Sequence, residues 1–79
     1  MKTHQNLLIS PQTDIRQTIK VIDQGAPAQI ALVVDADQKL IGTVTDGDIR
    51  RGLLQGEILE SPVERVMQRE FRFVWEGVE

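Results

Sequence analysis

Apolar residues in this chain come in short bursts separated by Gly, Pro and Asp, and the spacing inside each burst changes along the sequence. Leu7-Leu8-Ile9 is a brief run halted by Ser10-Pro11, which predicts a short strand. Ile15, Ile19 and Ile22 then recur at helical spacing, with Thr18 on the same face. Thr13 suits the N-cap of that helix, Asp14 favours the positive end of its dipole, and Gly25 fits the position just past its end. Ile30 to Val34 is an unbroken, mostly β-branched run ended by Asp35, the pattern of a strand buried on both faces. Asp37-Gln38-Lys39 is polar enough for a hairpin turn, with Asp35 and Asp37 as turn residues. Leu40 to Val44 returns as a second strand in which Gly42 lets something approach closely.

From Asp48 to Gln55 the apolar residues Ile49, Leu53 and Leu54 share one helical face, and Gly56 is a natural stop. Ser61-Pro62-Val63-Glu64 has the form of a capping box with proline at the first helical position, opening a short helix through Met67. Phe71 and Phe73-Val74-Trp75 begin one more strand. The order is therefore β-α-β-β-α, a helical connector and a strand. It is an α+β arrangement, a short mixed sheet with two helices packed on it.

A chain of 79 residues holds one small domain. Domains this short bury only roughly 60% of the surface of their unfolded chain, so a partner is the expected source of further apolar burial. The absence of cysteine removes disulfides and thiolate ligands, and the one histidine, His4, lies at a terminus. No metal site is expected. Nine basic against twelve acidic residues give a net charge of −3 with no basic cluster, which argues against nucleic acid as a partner. The apolar runs fall far short of the ~20 residues that span a bilayer, and no signal-peptide pattern opens the chain, so a cytoplasmic setting without membrane contact is the expectation.

The richest chemistry lies at Gly42-Thr43-Val44-Thr45-Asp46-Gly47-Asp48-Ile49, where the second hairpin strand hands over to a helix. A helix N-terminus presents unpaired N–H groups and partial positive charge, both suited to phosphate. A threonine hydroxyl there can bond phosphate or sugar, a carboxylate three residues on can accept from two ribose hydroxyls, and Arg50 and Arg51 can neutralise phosphate. The same Thr45-x-x-Asp48 spacing is also a capping box with Asp in place of the usual Glu. Spacing does not decide between these readings, and the two can coexist.

Short strand, helix, hairpin ending in Gly-x-x-Thr-x-x-Asp, then helix: this succession resembles a repeat of the cystathionine-β-synthase (CBS) domain family, over about Leu7 to Met67. The resemblance implies a CBS repeat at 7–60, followed at 61–79 by a connector helix and the first strand of a second, incomplete repeat. It also implies a tandem partner, either that second repeat or a second protomer in a homodimer, and a cleft between the two. Such clefts bind AMP, ADP, ATP or S-adenosylmethionine and regulate a linked activity, so the chain is expected to be regulatory and not an enzyme, with no required cofactor.

Carried over by position, Thr45 would contact phosphate or ribose, Asp48 would hold the ribose hydroxyls and Thr43 would line the cleft, with Arg51 beside the phosphate. Ala28, Gln29 and Ile30 would face the base, and Ile9 and Ser10 would close the other side. The phrase from Thr43 to Leu54 is most similar to the N-terminal CBS repeats of bacterial sugar-phosphate nucleotidyltransferases. The chain departs from the family pattern in having Leu32 where many repeats have proline and Gly47 where a side chain could reach the cleft. The alternative from another class is a dimerisation or interaction module with no small-molecule ligand.

Other chemistries fit less well. A calcium loop fails over Asp35 to Asp48, because Lys39 occupies a ligand position and glycine is not sixth. Nucleophilic catalysis lacks a cysteine, and Ser10 and Ser61 both precede proline in turn and cap contexts. Phe71, Phe73 and Trp75 alternate as base-stacking residues do, but one buried strand face explains them without a basic groove.

Overall fold

A computed structural model describes residues 7–25 and 29–69 of the chain. Three strands, β1 (Leu8–Ile9), β2 (Ile30–Val34) and β3 (Leu40–Thr45), form a mixed sheet in the order β1-β2-β3. β1 runs parallel to β2, with Ile9 opposite Val33, and β2 runs antiparallel to β3, with Ile30 opposite Thr45. A parallel pair needs a crossover, and helix α1 (Ile15–Gln24) provides it. Helix α2 (Asp46–Leu54) follows β3 without a gap. The α+β fold class expected from the sequence is the one found.

The helices pack on a single sheet face. Ala31 and Val33 of β2 and Val44 of β3 are fully buried there against Ile15, Ile22 and Ile49. Burying a side chain of this size contributes roughly 1.5–3 kcal/mol, so these few residues carry much of the stability of the small core. Ile30, Leu32 and Val34 point the other way and remain half-buried. The expectation of a strand buried on both faces is thus corrected, because no element among the described residues covers that side as the helices cover the first.

Helix starts also shift by a residue. Asp14, not Thr13, caps α1: its Oδ1 accepts from the Gln17 amide at 2.7 Å, while Thr13 Oγ1 turns back to accept from the Ser10 amide at 3.2 Å. Helix α2 begins at Asp46, two residues earlier than the apolar spacing suggests, because Thr45 is already its cap. In the hairpin, Asp35 Oδ1 accepts from the amides of Asp37 and Lys39 and so closes the turn.

The connector differs most. Val63–Arg65 is a single 3-10 turn rather than a helix through Met67, and Ser61 does not cap it; its hydroxyl accepts from the Ile58 amide instead. The turn stops where the next amide pairs with the sheet: Met67 still donates to the Val63 carbonyl at 3.0 Å, but Gln68 donates across to Thr43, while the first amides of the turn bond the segment before α1. Val63 donates to the Thr13 carbonyl at 2.7 Å, Glu64 to Pro11 at 3.1 Å and Gln68 to Thr43 at 2.8 Å. Val63 and Met67 enter the core along this path. Gly42 makes room for it, since a Cβ there would lie 2.6 Å from Met67 Sδ and 3.2 Å from the Gln68 carbonyl oxygen. The close approach expected at Gly42 is thus an approach by the chain's own connector. The strand expected at Phe71 to Trp75, like Ala28 and His4, lies outside the described residues.

Candidate functional site

Thr45 leaves β3 in an extended conformation and caps α2. Its Oγ1 accepts from the Asp48 amide at 3.3 Å, and the Asp48 carboxylate reaches back to accept from the Thr45 amide at 2.9 Å. The reciprocal pair is a capping box, so that reading of the spacing holds. A cap alone needs one carboxylate bond, and Asp48 makes four. Its Oδ2 also accepts from Thr45 Oγ1 at 3.0 Å, and its Oδ1 accepts from Arg51 Nη2 at 2.7 Å and from Gln68 Nε2 at 3.1 Å.

Asp48 is 5% exposed. A charge that deep is tolerable only with such partners, and all four are present. The Arg51 guanidinium supplies the opposite charge, while its own side chain is 61% exposed. Asp46 and Asp48 stand in the first turn of α2 and Arg51 in the last, each sign matching its end of the helix dipole.

A polar cleft of about 210 Å³ opens beside this carboxylate, lined by Asp48, Arg51, Gly52, Gln55, Arg65, Val66 and Gln68. Arg65 is held by Glu57 through an Nε–Oε1 contact of 3.0 Å. The Ser61 hydroxyl holds the Glu57 carboxyl below its ordinary value of 4.5; desolvation opposes this, and the bond and charge of Arg65 add to the lowering. Ligand pockets for drug-sized molecules run from roughly 300 to 1,000 Å³, so this cleft by itself fits a sugar or phosphate and not a whole nucleotide.

The structure brings together only part of the site expected from the sequence. Asp48 and Arg51 line the cleft, Thr45 bonds Asp48, and Thr43 joins them through its backbone pairing with Gln68. Ile30 sits opposite Thr45 in the sheet. Gln29 lines a neighbouring depression of about 240 Å³ with Ile19, Ile22, Asp23 and Asp46. Ile9 and Ser10 are not brought to this junction. Parallel pairing sets Ile9 beside Val33, and Ile9 and Ser10 line a separate hollow of about 480 Å³ with Val34 and Asp35. Four strand residues separate that end of the sheet from Ile30, or ~13 Å.

Five cleft residues escape sequence reasoning: Gly52, Gln55, Arg65, Val66 and Gln68. Arg65 and Val66 lie in the stretch expected to be a connector helix and Gln68 just past its expected end at Met67, and none of the three carries a local signal. The antiparallel bridge between Thr43 and Gln68, 25 positions apart, sets that stretch against β3, and Val66 over Gly52 and Gln68 on Asp48 bring it to α2. Among the described residues no group of three or more His, Cys, Asp or Glu side chains converges as metal ligands would, and no helix is long and apolar enough to cross a membrane.

The sequence profile of the CBS domain family matches residues 2–55. The chain is 36% identical over 69 residues to an uncharacterized protein of Chlamydia muridarum, covering 85% of this chain and 21% of that protein. It is 35% identical over 57 residues to an uncharacterized protein of Helicobacter pylori, covering 72% and 17%. The chain thus spans about a fifth of the length of these curated relatives. Among solved structures, a CBS-domain-containing protein of Agrobacterium tumefaciens superposes with a TM-score of 0.76 at 18% identity, over 84% of this chain and 50% of that one. A CBS domain protein of Pyrobaculum aerophilum, solved as a complex with AMP, gives 0.73 at 15% identity, over 92% and 60%. At these identities the likeness is one of fold.

Proposed function

The chain belongs to the CBS domain family, and from that premise we propose that it is a regulatory, non-catalytic module that binds an adenine nucleotide or related adenosyl ligand. The observation that carries the proposal is the buried Asp48 carboxylate facing a polar cleft flanked by Arg51 and Arg65. A carboxylate accepts two ribose hydroxyls, and guanidinium groups pair with phosphate oxygens. Asp48 takes the ribose, Arg51 takes the phosphate, Thr45 joins by exchanging its hydroxyl bond, and Thr43 lines the cleft. Ala28, Gln29 and Ile30 face the base. Ile9 and Ser10 stand too far along the sheet to belong to this site.

The cleft is too small to enclose a nucleotide, so a second repeat or a second protomer in a homodimer completes it. The Agrobacterium and Pyrobaculum proteins, of which this chain covers 50% and 60%, are long enough to hold such a partner, and the complex of the latter with AMP supports the ligand class. AMP, ADP, ATP and S-adenosylmethionine are the candidates, in a cytoplasmic setting. Control of a linked sugar-phosphate nucleotidyltransferase is the finer form of the proposal; it rests on the phrase from Thr43 to Leu54, and the relatives above bear on the CBS domain alone.

A ligand at 100 times its dissociation constant stabilises by about 2.7 kcal/mol, which for a domain of this size raises Tm by roughly 10–20 °C. Thermal melts with each candidate nucleotide should show such a rise for at least one, and Asp48→Asn should abolish it relative to that variant's own unliganded melt.

A second reading is favoured by the saturation of Asp48 within the chain and by the exposure of Leu54 (81%) and Ile58 (59%) beside Leu53. It takes the chain as an interaction module with no small-molecule ligand. Melts unmoved by every candidate, together with dimerisation lost in Leu54→Ser, would establish it.

A further inference from the structure

A carboxylate has about four lone-pair sites, and each donor on Asp48 fills one. Thr45 N–H and Oγ1 occupy Oδ2, while Arg51 Nη2 and Gln68 Nε2 occupy Oδ1. At 5% exposure the group shows little of itself beyond the edge that lines the cleft. A ribose diol brings two donors, so two of the present donors must leave. The Thr45 amide cannot leave without being orphaned at the helix start. Three side-chain donors can therefore leave, the Thr45 hydroxyl on Oδ2 and Arg51 and Gln68 on Oδ1; of these only Arg51 and Gln68 line the cleft, and their release frees one whole oxygen, Oδ1, for the diol.

The two donors differ in what they tie down. Arg51 belongs to α2 itself and is well exposed, so releasing it moves nothing but its own side chain. Gln68 belongs to the connector. Its backbone pairs with Thr43 of β3 through bonds of 2.8 and 3.1 Å, and its side-chain amide is the hydrogen bond that this exposed residue makes to α2. We propose that Gln68 is a latch, closed on Asp48 in the unliganded chain and displaced by the ligand's sugar hydroxyls, so that occupancy of the cleft loosens the segment leading beyond residue 69. This rests on the ligand site proposed above and gives it a direction of control: ligand binding and docking of the connector oppose each other. Such coupling is reciprocal, so removing the latch must tighten binding by the factor by which ligand weakens the latch.

The test uses the 79-residue chain and its Gln68→Ala variant, with AMP as probe; Gln68 is exposed, so the variant keeps its core. A hydrogen bond to a charged group that must be broken on binding corresponds to about a tenfold change in affinity, so titration calorimetry should give a Kd about tenfold lower for the variant. Amide hydrogen exchange of wild type should in parallel show the Gln68 N–H losing protection when AMP is added. Binding by the variant alone also supports the latch. Equal or weaker binding by the variant, or undiminished Gln68 protection in AMP-bound wild type, overturns the latch and leaves the nucleotide site standing. Binding by neither protein removes both.

Discussion

Both helices of this domain open with a polar cap, and the two caps are built to different specifications. At α1, Asp14 accepts one bond from Gln17 three residues on, and nothing distant reaches its side chain. At α2, Thr45 and Asp48 complete the reciprocal box, and the buried carboxylate then draws Arg51 from the next turn and Gln68 from 20 residues away. Capping explains all of Asp14 and only part of Asp48. The excess, a buried charge with non-local partners beside a cleft, is what separates the helix start of the proposed site from one that serves the fold alone.

The sharpest way to break this comparison is to remove both carboxylates in turn. Asp14→Ala should cost about 1 kcal/mol, the ordinary loss of an N-cap. Asp48→Ala leaves the Thr45 amide unpaired and removes a charge-assisted network, and should cost about 3 kcal/mol, a large share of the 5–15 kcal/mol typical of small domains. Urea denaturation reads both. Equal costs would mean that the additional bonds at Asp48 contribute nothing and that its cap is ordinary.

How much of this was legible in the sequence depended on the range of the interaction. The β-α-β-β-α order follows from periods of 3.6 and 2, which short segments declare by themselves, and the Thr45–Asp48 box follows from a three-residue spacing. The exchange of Thr13 for Asp14 as cap was not legible, because both residue types cap well and the choice depended on where Thr13 Oγ1 found another partner. Nor was the burial of β2, whose composition suits two covered faces while the helices cover one. Ile9 and Ser10 were placed in the site by resemblance, and the parallel register with Val33 sends them to the far end of the sheet. Gln68 was hidden for the converse reason: the residues before it spell a helix start, and only its tertiary pairing with Thr43 takes the chain onto β3 instead.

A smaller effect sharpens the comparison at the connector. Gly52 lies under Val66, where a Cβ would come within 2.2 Å of Val66 Cγ1 and 3.2 Å of Val66 Cβ. Valine is stiff at χ1, so the connector must move as a unit. Gly52→Ala should therefore cost about 1–2 kcal/mol, with overpacking outweighing the roughly 1 kcal/mol that alanine gains in a helix. If the connector is what supplies Gln68 to Asp48, hydrogen exchange in this variant should quicken at Gln68 while the core amides of β2 stay protected. A stabilised variant with unchanged exchange would show that the connector is seated more loosely than its contacts indicate.

The smallest effect concerns Glu57, the carboxylate paired with Arg65 of the cleft lining. Bonds from Ser61 and Arg65 favour its charged form and hold its titration below the ordinary 4.5. Between the two values the unfolded chain binds more protons than the folded one, so folding is progressively disfavoured as pH falls through that window. The stabilisation is complete above about 4.5 and is lost as pH drops through the folded-state value. The melting temperature of wild type should therefore exceed that of Glu57→Gln at pH 7, and the gap should close on acidification below 4.5. A gap that persists unchanged at pH 3 would assign the difference to packing of the side chain rather than to its charge, and would leave Arg65 without the electrostatic tether that fixes it at the cleft.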